Sequence, residues 1–381
     1  MPISRREFLV AGSVVPFLHL PLKGAEPFKP AFPGMIVRAT EPQNLEFPFN
    51  ALGGPIAPNE HFFVRNHFAA PTIDVKSWKL SVEGAVKQPL TLTYDELLKL
   101  PTRSLTATLE CAGNGRVFLT PAAGGVQWSQ GAIGNAEWSG IPLAAILEKA
   151  GVKDGAVEVV FEGADTGQVN SDPKSPGPIA FARSLPLEKA QHSSVILATK
   201  MNGADLPASH GGPLRAVVGG WYGTASVKWL TRIIVTETPF RGFWQTLDYT
   251  IWTRRDRLPT LVPITKMEVK SAIARPVAGE IIPSGKPFRI FGAAWAGESA
   301  IAKVEVSADA GKSWQVAKLL ETPAPLVWTL WEYNWTPDRH GAVRLLARAT
   351  DADGKSQPLT RDADRRNYMI SHIVPVQVVV K

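Results

Sequence analysis

The sequence predicts an α+β domain followed by an all-β, immunoglobulin-like sandwich, and three observations carry that reading. The chain has 381 residues, which suits two domains better than one core. From about residue 61 to 265, helix-like and strand-like patterns mix; from about 266, only short alternating runs follow one another. The composition is that of a globular protein, with 20% charged and 45% hydrophobic residues.

Residues 1–25 read as an export address. Arg5 and Arg6 stand ahead of Phe8 and Leu9, and a twin-arginine pair before a moderately apolar stretch directs folded proteins out of the cytoplasm. The stretch Phe8–Leu22 is short and broken by Pro16, His19 and Pro21, so no membrane span is expected. A buried N-terminal helix is the plainer alternative. The expected destination is the periplasm. Folded export suits a protein that must acquire a complex cofactor before it leaves.

Residues 26–265 form the first predicted domain, opening on a Pro- and Gly-rich lead-in that runs to about residue 60. LTYDELLKL (92–100) and IPLAAILEKAG (141–151) have the spacing of short amphipathic helices, the second ended by Gly151. VEVVFEG (157–163), SVILATKMNG (194–203) and LRAVVGG (214–220) read as strands entering Gly-bearing turns. In residues 266–381, runs such as PFRIFGAAW, SWQVAKLL and LVWTLWEYNW alternate, with DAGKS (309–313) and DADGKS (351–356) as turns between runs. Short strands with almost no helix describe a β-sandwich.

The formal net charge is +7, of which Arg5, Arg6, Glu7 and Lys23 together supply +2. No long basic run and no zinc-finger spacing is present, so a nucleic-acid partner is not expected. A modest positive surplus suits an anionic substrate or an acidic protein partner.

The chain has one cysteine, Cys111, so no intramolecular disulfide is available. In TLECAGNGR (108–116) it ends the strand-like run SLTATLE and enters a turn with Gly113, Asn114 and Gly115. Arg116 follows, and a nearby guanidinium favours a thiolate. A thiolate in such a turn is a nucleophile or a soft-metal ligand; an isolated Cys is more often a small buried hydrophobe.

TLECAGNGR resembles the cysteine loop of the sulfite oxidases and the related assimilatory nitrate reductases, and matching segments follow in order over nearly the whole chain after the export address. The resemblance implies molybdenum bound by Cys111 and by the dithiolene of a molybdopterin. FFVRNHF (62–68) resembles the family's first motif, which implies that Arg65 lines an anion pocket and His67 contacts the cofactor. A guanidinium fork suits an oxyanion, although a lone Arg is more often half of a surface ion pair. Arg116 matches a substrate-side arginine. Many relatives carry a second arginine where this chain has Gly115.

WSQGAIGNAEWSGIPL (128–143) resembles the next family stretch and implies Trp128 in the substrate pocket; a core aromatic is the alternative. FEGAD (161–165) implies Asp165 on the pterin, where a turn Asp is the plainer reading. SHGGPLR (209–215) and GTASVKWL (223–230) imply that His210, Arg215, Ser226 and Lys228 bind the pterin and its terminal phosphate. Gly-rich turns let backbone N–H groups approach a phosphate, which Lys and Arg neutralise. FWQTLDY (243–249) implies Tyr249 beside the metal, against the alternative of a core tyrosine. The β-rich tail is similar to the family's dimerisation domain.

The implied activity is oxidation of sulfite to sulfate, with Arg65 and Arg116 holding the oxyanion and the cofactor performing the redox step. One cysteine allows no C-x-x-C-H haem attachment, so no haem is expected in this chain and a separate c-type cytochrome is the expected electron acceptor. A homodimer or a complex with a cytochrome subunit is the expected assembly. Two other readings stay open: the molybdenum subunit of a sulfur dehydrogenase in thiosulfate oxidation, and a non-catalytic β-sandwich binding protein.

Overall fold

The computed structural model describes residues 34–381, and the twin-arginine address lies outside the described residues. The lead-in is more ordered than its composition predicts. Ile36–Thr40 and Gln43–Glu46 pair as an antiparallel hairpin, and Leu45 bridges to Val64.

The first domain is built on two five-stranded sheets. One runs Ala204–Asp205, Val195–Met201, Ile133–Pro142, Arg103–Glu110, with Arg215–Val218 also on Val195–Met201. The other runs Leu90–Thr93, Lys79–Gly84, Leu230–Thr236, Glu158–Gly167, Ile179–Pro186; its one parallel pair is Lys79–Gly84 with Leu230–Thr236. The predicted helix at 92–100 starts later, at Tyr94, because Leu90–Thr93 pairs in a sheet and Thr93 forms a capping box with Glu96. The second helix, Leu143–Ala150, buries Leu143, Ile146, Leu147 and Ala150 and ends on Gly151 in a left-handed conformation.

The second domain is a sandwich of a four-stranded and a five-stranded sheet. Ile290 and Trp331 from the first meet Val304, Leu345 and Val378 from the second in one buried cluster. SWQVAKLL, which reads as one strand, is two: Gln315–Val316 pairs in the five-stranded sheet and Lys318–Leu319 crosses to the four-stranded one. Two-residue strands at a sandwich edge carry too few alternating positions to reveal the crossing.

The two domains share a core. Ala272, Ala293, Trp295 and Leu330 of the second pack into the hydrophobic cluster of the first. Arg103–Glu110 lies at the edge of its sheet, and the second domain covers that edge: Thr108 N–H donates to Leu326 O (2.8 Å), and Trp328 N–H donates to Thr108 Oγ1 (2.8 Å). At the end of this strand Glu110 meets Lys270 Nζ at 3.0 Å, with both side chains almost fully buried.

Replacing Lys270 with Met leaves the Glu110 carboxylate without its cation in a water-free interface, and breaking a buried pair in this way costs about 3–5 kcal/mol. Denaturant unfolding of Lys270→Met should show a loss of that order. A loss below about 1 kcal/mol, the range of an exposed pair, would remove this ion pair from the interface's supports.

Candidate active site

Cys111 sits where its strand runs out. Cys111 N–H donates to Ala132 O (2.8 Å), and Asn114 N–H donates back to Cys111 O (2.9 Å), closing a tight turn. The Asn114 side chain ties the turn on both sides, donating to Glu110 Oε1 (3.0 Å) and accepting from Ala132 N–H (3.0 Å). Gly115 has φ +97°, and a Cβ there would stand 3.1 Å from Ile370 of the second domain. This backbone and this neighbour both disfavour a side chain at Gly115.

The turn opens on a cleft of about 660 Å³, counting its open mouth. Its wall holds nine of the eleven candidates: Arg65, His67, Cys111, Asp165, His210, Arg215, Ser226, Lys228 and Tyr249. Residues far apart in sequence meet there; His67 Nε2 and Tyr249 Oη, 182 positions apart, stand 2.6 Å from each other. Tyr249 follows directly on a single turn of π-helix, Trp244–Asp248, which aims it at the cleft. His67 stacks on Phe181 with ring centroids 4.4 Å apart.

Electrostatically the wall is cationic. Arg65, Arg215 and Lys228 line it against one carboxylate, Asp165. Arg215 donates to the His210 and Ser226 carbonyls (2.8 and 3.1 Å), and burial lowers its pKa to about 9. Lys228 donates to Asn66 Oδ1 and to Ser209 O; burial and then Arg215 push its ammonium well below the usual range. Burial also keeps His67 and His210 neutral, His210 down to about 3. Tyr249 is held neutral too, its phenol raised first by burial. Two buried polar atoms on this wall, Arg215 Nε and Thr224 Oγ1, have no partner within the protein. An excess of buried cations with unmet hydrogen-bonding capacity is the signature of an anion site.

The structure keeps two candidates off the cleft wall. Arg116 is buried one side chain away, donating to Val126 O (2.8 Å) and Asn367 O (3.2 Å), with its guanidinium 5.4 Å from the Tyr368 ring. Gly113 leaves it room, since a Cβ there would fall 2.3 Å from Arg116 Nη2. Trp128 is fully buried and its Nε1 has no partner within the protein. Sequence reasoning passes over Asn66, Arg183 and Tyr368. Asn66 lies inside FFVRNHF and was within reach. Arg183 has a weaker signal, a lone cation in the apolar strand Ile179–Pro186. It is buried, bonds the Trp244 and Ile264 carbonyls, and lies 5.9 Å from the Tyr249 ring.

Among the described residues no group of three or more His, Cys, Asp or Glu side chains is placed to hold a metal. A metal at Cys111 would therefore take its other ligands from a non-protein group. The family profile described as oxidoreductase molybdopterin binding domain matches residues 67–244, and that described as Mo-co oxidoreductase dimerisation domain matches residues 262–370. Sulfite oxidase of Gallus gallus is 34% identical over 86% of this chain and 74% of its own length. Sulfite oxidase of Arabidopsis thaliana is 31% identical over 86% of this chain and 89% of its own. The crystal structure of the sulfane dehydrogenase SoxCD from Paracoccus pantotrophus superimposes with a TM-score of 0.76 at 30% identity, over 89% of this chain and 85% of that one.

Asp165 gives the cleft a titration that stability measurements can read. Burial raises its carboxyl to about 6, partly offset by Lys228. The folded polypeptide thus holds this proton where an ordinary carboxyl has lost it. The resulting stabilisation is complete below about pH 4 and lost as pH rises through about 6, on the order of 2–3 kcal/mol in all. Asp165→Asn should flatten the stability profile of the cofactor-free polypeptide across that window, as followed by urea midpoints. An identical profile in wild type and variant would refute the shift.

Proposed function

The chain belongs to the sulfite oxidase family of molybdopterin oxidoreductases, and from that premise we propose that it oxidises sulfite to sulfate at a molybdenum–molybdopterin centre ligated by Cys111 and passes the electrons to a c-type cytochrome. Its class is that of a molybdenum-dependent oxidoreductase acting on sulfur donors. The observation that carries the proposal is the meeting of a lone thiol with a cationic wall in one cleft. The residues present fit the cofactor. The unmet Arg215 Nε and Thr224 Oγ1, with Lys228 and Ser226, suit a terminal phosphate and a polar ring system. Cys111 would supply one soft ligand, and a dithiolene would supply others.

When bound, the cofactor supplies the two-electron redox chemistry. The chain's residues do the rest. Arg65 holds the oxyanion with its guanidinium fork. Neutral His67 lies 2.6 Å from the Tyr249 oxygen; as the tautomer with its proton on Nε2 it donates there and leaves the phenol proton free for the anion. Arg116, tied to backbone carbonyls, adds positive charge from behind Tyr368.

The similarity to SoxCD favours a second reading, in which the substrate is sulfane sulfur. Assays with free sulfite and with a sulfane donor separate the two. The dimerisation-domain match supports a homodimer or a complex with a cytochrome subunit. We also propose export by the twin-arginine route, on the strength of Arg5 and Arg6.

Purified protein should contain molybdenum and pterin and reduce cytochrome c with sulfite. Cys111→Ser puts a hard hydroxyl in place of a soft ligand and should abolish turnover with no change in circular dichroism. Near-normal turnover in that variant would sink the ligand assignment. Arg5→Lys with Arg6→Lys should hold the protein in the cytoplasm on cell fractionation; efficient periplasmic recovery would refute the export proposal.

A further inference from the structure

The second domain backs the cleft wall through a short segment that lies behind Tyr249. After Ala363–Arg365 the chain is clamped by Arg361, which donates to Tyr368 O (2.9 Å) and Met369 O (3.1 Å). Met369 N–H donates to Ala112 O (2.7 Å), beside Cys111, and Arg366 bonds the Leu247, Asp248 and Thr250 carbonyls around the π-helical turn. Between these anchors stands Tyr368, buried, with its ring 5.0 Å from the Tyr249 ring. Its hydroxyl donates to Asp248 Oδ1 at 2.6 Å.

We propose that Tyr368 is a positioning residue: from the second domain it presses Tyr249 toward His67, through ring contact and by fixing Asp248, the residue just before it. Without Tyr368, Tyr249 loses its nearest aromatic neighbour and Asp248 loses a short hydrogen bond. The π-helical turn, whose end carries Tyr249, then has two fewer restraints where a donor must point accurately. The first domain supplies the hydroxyl that faces the anion, and the second sets its direction. This rests on Tyr249 acting as a donor in the cleft, as proposed above.

The test compares Tyr368→Phe, which keeps the ring and loses the hydrogen bond, with Tyr368→Val, which loses both, each alone and combined with Tyr249→Phe. With sulfite and molybdenum-loaded enzyme, Tyr368→Val should lower kcat/KM about tenfold and Tyr368→Phe about threefold. In the Tyr249→Phe background either change should cost less than about twofold, because the group being positioned is gone. A packing role would cost the same factor in both backgrounds and would overturn the proposal. Crystal structures supply a readout independent of turnover. The 2.6 Å contact between Tyr249 Oη and His67 Nε2 should be lost in Tyr368→Val and kept in Tyr368→Phe. Its survival in Tyr368→Val overturns the proposal even if sulfite proves not to be the substrate. Should Tyr368→Val fail to fold, the Tyr368→Phe cycle decides alone: a loss that persists without the Tyr249 hydroxyl overturns it.

Discussion

Glu110 carries a carboxylate in a place that both domains close to water, one residue before Cys111. Burying such a charge is costly unless every lone pair is met. Here Lys270 (3.0 Å) and Asn114 Nδ2 (3.0 Å) meet Oε1, and Trp295 Nε1 (2.9 Å) meets Oε2. Lys270 also donates to Asn114 O at 3.2 Å. Two of the three partners come from the second domain and the third from the cysteine turn itself. The shape of that turn is therefore set jointly, and neither domain satisfies the carboxylate alone. A network satisfied at every member rigidifies; one left incomplete would be the weakest point of the interface.

The cleft inverts this economy of charge. Glu110 is met by a cation and by two neutral donors, whereas Arg65, Arg215 and Lys228 share only Asp165 on the cleft wall. Arg183, just outside it, bonds only to carbonyls. Carbonyl oxygens satisfy N–H groups without neutralising them, so the field of the wall stays open for an anion. Buried unneutralised cations destabilise the polypeptide, and a bound anion offsets that penalty, coupling occupancy of the cleft to stability. The same field, added to burial, keeps His67 neutral and thus fit to share a hydrogen bond with a phenol rather than to carry charge.

The fold was legible where pattern is local. The helix Leu143–Ala150 and the strands at Val195–Met201 and Arg215–Val218 follow from apolar spacing and Gly-bearing ends. Legibility failed where pairing partners are distant: the hairpin in the lead-in, Leu90–Thr93 ahead of its helix, and the strand change between Val316 and Lys318. Each is decided by a neighbour elsewhere in the chain, which a short window does not contain.

By itself the sequence determined the ingredients: a lone cysteine at a strand end, Gly-rich strings bearing His210, Arg215 and Lys228, and Arg65 and His67 together in FFVRNHF. These are short-range signals, because a turn, a fork of donors or a phosphate-binding loop is specified by a few consecutive residues. Only the tertiary structure decided which of them share a wall. It brought Tyr249 to His67, set Arg116 and Trp128 back from the cleft, and delivered Tyr368 from the far domain. Those outcomes depend on how two sheets and a sandwich pack against one another, and packing geometry is a property of side-chain volumes summed over the whole interface rather than of any motif.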